Sequence, residues 1–181
     1  NDLLVKIPYF DKAPVTDYAY SFAVVGDTQI VAENDVIKGE NNLAKIYDWI
    51  LANKDSKNIQ YVFGLGDITD NNTPAEWALA KEQMEKMDAA GLAYSVVRGN
   101  HDLVGYNDST KTDYMTQYLG TAAYKSQFAT GGFYDENISN PWRTFKVGNI
   151  NYLMLALDFG PTDEVLAWAG EIIADHPDHS V

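Results

Sequence analysis

Tyr61-Val-Phe-Gly-Leu65, running directly into Gly66-Asp67-Ile68-Thr69-Asp70-Asn71, decides how this chain is read. An apolar run with the composition of a buried strand gives way, at a glycine, to a short stretch of polar acceptors. The same transition occurs twice more. Phe22-Ala-Val-Val25 leads into Gly26-Asp27-Thr28-Gln29, and Tyr94-Ser-Val-Val97 precedes Gly99-Asn100-His101-Asp102. Strands of this kind, separated by helical patterns, predict a sheet with parallel neighbours. Residues just past the carboxyl ends of such strands converge on one crevice. Asp27, Asp67, Asn100 and His101, far apart in sequence, are therefore expected to meet. Hard oxygen donors together with a histidine suggest metal-assisted hydrolysis.

Outward from these turns, the chain reads as alternating strands and helices. A first strand is expected over Ala19–Val25, then a polar loop from Ile30 to Glu40. Leu43, Ile46, Tyr47, Ile50 and Leu51 share one face of a helix. A second strand covers Ile59–Leu65. Thr73, Pro74 and Glu76 form the start signal of the next helix, with a capping box, and Gly91 stops it. Trp77, Ala80, Met84 and Met87 make its buried stripe. A third strand covers Ala93–Val97. From Leu103 to Asn140 the pattern loosens to a helix over Lys111–Leu119 and otherwise loop, the kind of insert that carries substrate recognition. Arg143–Val147 and Ile150–Leu157 read as two strands joined by Gly148-Asn149, a hairpin signal. Thr162 caps a last helix, with Val165, Leu166, Ala169, Ile172 and Ile173 facing inward. His176 and His179 follow in a turn that Pro177 keeps from helical spacing.

Composition narrows the function. At 181 residues, with 46% hydrophobic and 13% aromatic residues, the chain is long and apolar enough for a substantial core. No apolar run approaches the roughly 20 residues that span a bilayer. A net charge of −13 disfavours a nucleic-acid polymer, whose phosphates need basic surface. A small phosphorylated substrate stays compatible if bound metal reverses the local field. Zero cysteines exclude disulfides and thiolate ligands, and fit either a reducing cytoplasm or a bacterial exported protein. The sequence opens without a signal-peptide pattern at Asn1 and without Met, as expected if an export signal had been removed by processing or by cloning, and this tips the expectation slightly toward the exported case.

The three turns together, D-x-(H/Q), G-D-x-x-D and G-N-H-D in this order, resemble the calcineurin-like metallophosphoesterases. That resemblance implies a mixed α/β fold, a β-sandwich flanked by helices in four layers. Residues 1–17, which mix apolar and polar positions with Pro8 and Pro14, read as an extended lead-in, and the resemblance makes 18–181 the amino-terminal part of a phosphoesterase domain. The family pattern continues with a histidine and a Gly-His-x-His run that this sequence does not contain, so the domain is read as truncated. By the same resemblance, Asp27 and Asp67 are metal ligands, with Asp67 bridging two metals and Asn100 an amide ligand to the second. His101 protonates the leaving oxygen or stabilises its charge, Asp70 orients His101, and Asn100 and His101 face the substrate. The cofactors implied are two divalent transition metal ions, Mn, Fe or Zn, in the intact protein.

Two positions depart from the family. Gln29 stands where a metal-binding histidine is commonest, and its amide oxygen is a weaker donor to a transition metal. Asn71 replaces the phosphate-binding arginine of the protein-phosphatase branch, which points away from phosphoprotein substrates. The expected function is metal-dependent hydrolysis of phosphate esters by a metal-activated water, with this chain alone weakly active or inactive. The rival is a non-catalytic binding module on the same fold. A Rossmann-type nucleotide binder is unsupported, since no G-x-G-x-x-G follows the first strand.

Overall fold

Strands β1 (Ser21–Val25), β2 (Ile59–Gly64) and β3 (Tyr94–Ser95) pair in parallel, in that order, to form one sheet. The computed structural model describes residues 19–103 and 114–181. Phe22 sits opposite Tyr61 and Val24 opposite Phe63, so these four residues share one face and Ala23, Val25 and Val62 the other. Helices α1 (Gln29–Lys38) and α2 (Asn42–Asn53) cross from β1 to β2, and α3 (Pro74–Ala89) crosses from β2 to β3. Leu43, Tyr47, Ile50, Trp77, Met84 and Met87 of these helices join Val62, Tyr94 and Val96 in one core. Full burial of side chains this size is worth about 1.5–3 kcal/mol each, and α3 adds to it a sequence rich in the strong helix formers Ala, Glu, Lys, Gln and Met.

A second sheet is antiparallel. It consists of β4 (Gly131–Tyr134), β5 (Asn137–Val147) and β6 (Ile150–Leu155), reached through the short helices α4 (Tyr114–Leu119) and α5 (Ala122–Ser126). The two sheets meet through aromatic rings. Phe145 stacks on Tyr61 with centroids 5.2 Å apart, and Tyr152 meets Phe22 edge-on at 5.3 Å. Helix α6 (Asp163–Ala174) lies on the far side, where Trp168 packs on Tyr134 and the following His176 packs on Trp142. The order helix, sheet, sheet, helix is the four-layer sandwich that the resemblance implies.

Local expectations fared unevenly. The capping box at Thr73 and Glu76, the Pro74 start and the stripe Trp77, Ala80, Met84 and Met87 are all present. The polar loop expected at Ile30–Glu40 is instead mostly helix α1. It buries only Ala32 and Asp35, so it has no apolar stripe to reveal it. Asp35 accepts the Asn42 and Leu43 N–H groups at 2.9 and 2.8 Å, capping α2 from the helix before it. The supposed loop before Asn140 contains α5, capped by Thr121, and β4, and β5 begins at Asn137 instead of Arg143. Turn-type residues such as Asn137 and Pro141 hide that strand, yet Pro141 pairs with Phe133 inside it. Strand β3 is only two residues long, although Val96 and Val97 beyond it are buried. In α6, Leu166 and Ile173 are 48% and 42% exposed, so the inward stripe is narrower than expected. The helix expected from Lys111 is present from Tyr114, while the lead-in at 1–17 lies outside the described residues.

Candidate metal centre

The three turns that follow β1, β2 and β3 are knitted together. The Asp27 N–H donates to Gly66 O at 3.3 Å, and the Thr28 hydroxyl donates to Ile68 O at 3.4 Å. Asp67 Oδ1 accepts the His101 N–H at 2.9 Å. Asp27, Asp67 and the Asn100–His101 turn are thus brought to one end of the first sheet, as the sequence implied. Asp27 and Asp67 both adopt left-handed backbone, with φ of 55° and 48°. That conformation costs a non-glycine residue about 1 kcal/mol or more and concentrates at functional sites. Gly66 takes a φ of +87°, and a Cβ on Gly99 would lie 2.1 Å from Asp67 Oδ1. Glycine at position 99 is therefore what lets the Asp67 carboxylate nest against the third turn.

Gln29 opens helix α1, and its Oε1 is buried with no hydrogen-bond partner among the described residues. An unsatisfied buried acceptor costs about 1–3 kcal/mol, and a cation would satisfy it. Among the described residues no three His, Cys, Asp or Glu side chains converge as a metal cluster. The donors this end of the sheet offers are two carboxylates and two amides, Asp27, Asp67, Gln29 and Asn100. The residues present fit a hard divalent ion better than a thiophilic one.

His101 is 40% exposed at its side chain, and its Nδ1 lies 3.2 Å from both Asp70 Oδ1 and Asp70 O. Both partners are acceptors only, so Nδ1 carries a proton. Asn71 Nδ2 donates to Asp70 Oδ2 at 3.1 Å and to Glu33 Oε1 at 3.2 Å. Asn71 is thus a neutral amide held between two carboxylates.

Asp102 closes the third turn, and the structure gives it a structural role. Asp102 is 3% exposed and accepts four hydrogen bonds. They come from the N–H groups of Gly99 (2.9 Å), Thr69 (2.8 Å) and Ile68 (3.1 Å) and from the Thr69 hydroxyl (2.9 Å). Burial pushes its carboxyl above the usual carboxylate range, and the N–H donors pull it back down. The side chain straps the second turn to the third.

A second strap was not read from the sequence at all. Arg98 Nε donates to Asp158 Oδ2 at 2.9 Å, Nη2 contacts the same oxygen, and the Arg98 N–H donates to Asp158 Oδ1 at 3.1 Å. Asp158 Oδ2 also accepts the Ser139 hydroxyl at 2.9 Å, and the Phe159 N–H returns to Arg98 O at 3.1 Å. This fork ties the start of the His101 turn to the end of β6, joining the two sheets beside the site. The signal was present as a lone Arg after β3 and a lone Asp after β6, both at strand ends.

Comparison with known proteins follows the same lines. The calcineurin-like phosphoesterase profile matches residues 20–178. The uncharacterised protein YvnB of Bacillus subtilis (strain 168) is 34% identical over 169 residues, covering 93% of this chain. The chain spans 13% of the length of that relative. The crystal structure of a dimetal phosphatase from Danio rerio superposes with a TM-score of 0.48 at 15% identity, over 88% of this chain and 53% of that one. Among the described residues, no helix is long and apolar enough to cross a membrane.

Proposed function

The chain belongs to the calcineurin-like phosphoesterase family, and on that premise we propose that it provides metal ligands and the leaving-group acid of a metal-dependent phosphate-ester hydrolase. The observation that carries the proposal is the convergence of Asp27, Asp67, Asn100 and His101 on one end of the sheet, with His101 Nδ1 held by Asp70. Asp27, Gln29, Asp67 and Asn100 are the residues that would hold divalent ions, and their oxygen donors favour a Mn²⁺-like ion. When bound, such ions supply Lewis acidity, charge neutralisation and an activated water.

The chain's own residues do the rest. Asp70 keeps the proton on His101 Nδ1, so the protonated ring presents its Nε2–H to the oxygen that leaves. Transfer of that proton is worth about 10²–10⁴ in rate. Asn100 and His101 orient the phosphoryl oxygens. The neutral Asn71 between Glu33 and Asp70 supports a small phosphorylated substrate over a phosphoprotein. Hydrolysis of 4-nitrophenyl phosphate esters with added Mn²⁺, by the full chain and by Asp67→Ala and His101→Ala, tests the reading. Turnover that needs the metal and falls at least a hundred-fold in both variants supports it. Metal-dependent turnover unchanged in both variants rejects it. Asp67-dependent metal binding with negligible turnover matches the weak activity expected of this chain alone, whereas no Asp67-dependent binding favours the binding module instead.

A further inference from the structure

Glu76 reads in the sequence as one half of a capping box, but its contacts extend past the cap. It is 2% exposed, in the first turn of α3. Oε2 accepts the Thr73 hydroxyl at 2.7 Å and the Thr73 N–H at 3.0 Å, which completes the box. Oε1 reaches further back, accepting the Asp70 N–H at 2.9 Å and the Asn71 N–H at 3.3 Å. A buried carboxylate is a costly cap where a neutral glutamine would also serve. What the second oxygen adds is a hold on Asp70. That residue meets His101 Nδ1 through its backbone carbonyl as well as its carboxylate, each at 3.2 Å. Fixing the Asp70 backbone therefore fixes both acceptors that keep the proton on Nδ1. The next residues are pinned too, with Asn71 Nδ2 on Asp70 Oδ2 and Trp77 Nε1 donating to Asn72 Oδ1 at 2.6 Å.

The geometry points to Glu76 as a positioning residue for His101, acting through Asp70 from the start of α3. This rests on the reading of His101 as the leaving-group acid. Glu76 touches neither substrate nor metal. It sets which ring nitrogen holds the proton before any substrate arrives.

The test uses the full 181-residue chain and two readouts. In the metal-free protein, ¹⁵N shifts of the His101 ring report its tautomer. The wild type and Thr73→Ala, which weakens the cap without freeing Asp70, are expected to show the Nδ1–H form. Glu76→Gln is expected to show a mixture, and Glu76→Asp, which keeps the charge but shortens the reach, serves if Glu76→Gln does not fold. With Mn²⁺ bound, kcat is compared on 4-nitrophenyl phosphate, whose leaving group needs little protonation, and on phenyl phosphate, which needs more. Glu76→Gln and Asp70→Asn should each lose about ten-fold more kcat on phenyl phosphate, with KM little changed. A folded Glu76 variant that keeps the Nδ1–H form overturns the proposal, as does an equal loss on both esters. If wild-type hydrolysis proves independent of Asp67, the functional reading fails, while the ring spectra still decide whether Glu76 governs the tautomer.

Discussion

Replacing Asp102 with alanine should cost more than any other single change near the site that leaves the proposed metal ligands intact. Its carboxylate accepts three N–H groups and one hydroxyl from two turns, and at 3% exposure water does not readily replace it. In Asp102→Asn, the amide oxygen can keep the Ile68 and Gly99 donors, and the amide N–H₂ can donate to a reoriented Thr69 hydroxyl. The Thr69 N–H is then left unpaired, at about 1–3 kcal/mol, and the two retained bonds lose their charge assistance. Relief of carboxylate burial, the force that raises this group's pKa, offsets part of that. The net expectation is a loss of about 2–3 kcal/mol. Asp102→Ala abandons all four donors and should cost about 4 kcal/mol, short of the additive sum because the vacated space can admit water. Urea unfolding followed by circular dichroism measures both, with unchanged m-values indicating the same transition. Asp102→Ala losing less than about 1 kcal/mol would refute the view that this side chain joins the two turns.

Other perturbations follow from single contacts. Arg98→Ala leaves the Asp158 carboxylate, only 11% exposed, without its counter-charge and should cost about 3 kcal/mol by the same unfolding assay, whereas changing Arg98 and Asp158 together to Met and Leu should cost distinctly less. Gly99→Ala would place a methyl 2.1 Å from Asp67 Oδ1, and about 3 kcal/mol of stability should be lost along with Mn²⁺ binding, read by calorimetry. Gln29→Ala removes an unpartnered buried oxygen, so the metal-free chain should gain about 1 kcal/mol while Mn²⁺ affinity falls about ten-fold. Gln29→His should instead raise affinity for Zn²⁺ relative to Mn²⁺, measured by competition between the two ions.

The site was legible where chemistry is written in local order. A glycine and an aspartate after an apolar run announce a strand end, and parallel strands place such ends together, so Asp27, Asp67 and His101 could be assembled from sequence. Helix α3 was equally plain, since its cap, its Pro74 and its apolar stripe all agree. Helix α1 was not, because its buried residues are Ala32 and Asp35 and the latter serves the next helix. The straps were hidden for a related reason. Asp102, Arg98 and Asp158 act through partners 3 to 60 positions away, and nothing about a lone carboxylate says which backbone N–H groups it will meet. Glu76 shows the limit most clearly. The sequence identified its contact with Thr73, three residues back, but not the one with Asp70, which depends on how the loop folds over the helix start.

Calorimetric titration of Mn²⁺ into the full chain and into Asp67→Ala, both first shown to be folded by circular dichroism, tests the central claim most directly. The account predicts saturable binding to the wild-type chain that is abolished in the variant. Binding of equal strength in both chains, or none in either, would contradict a metal centre built on the turns that follow β1, β2 and β3.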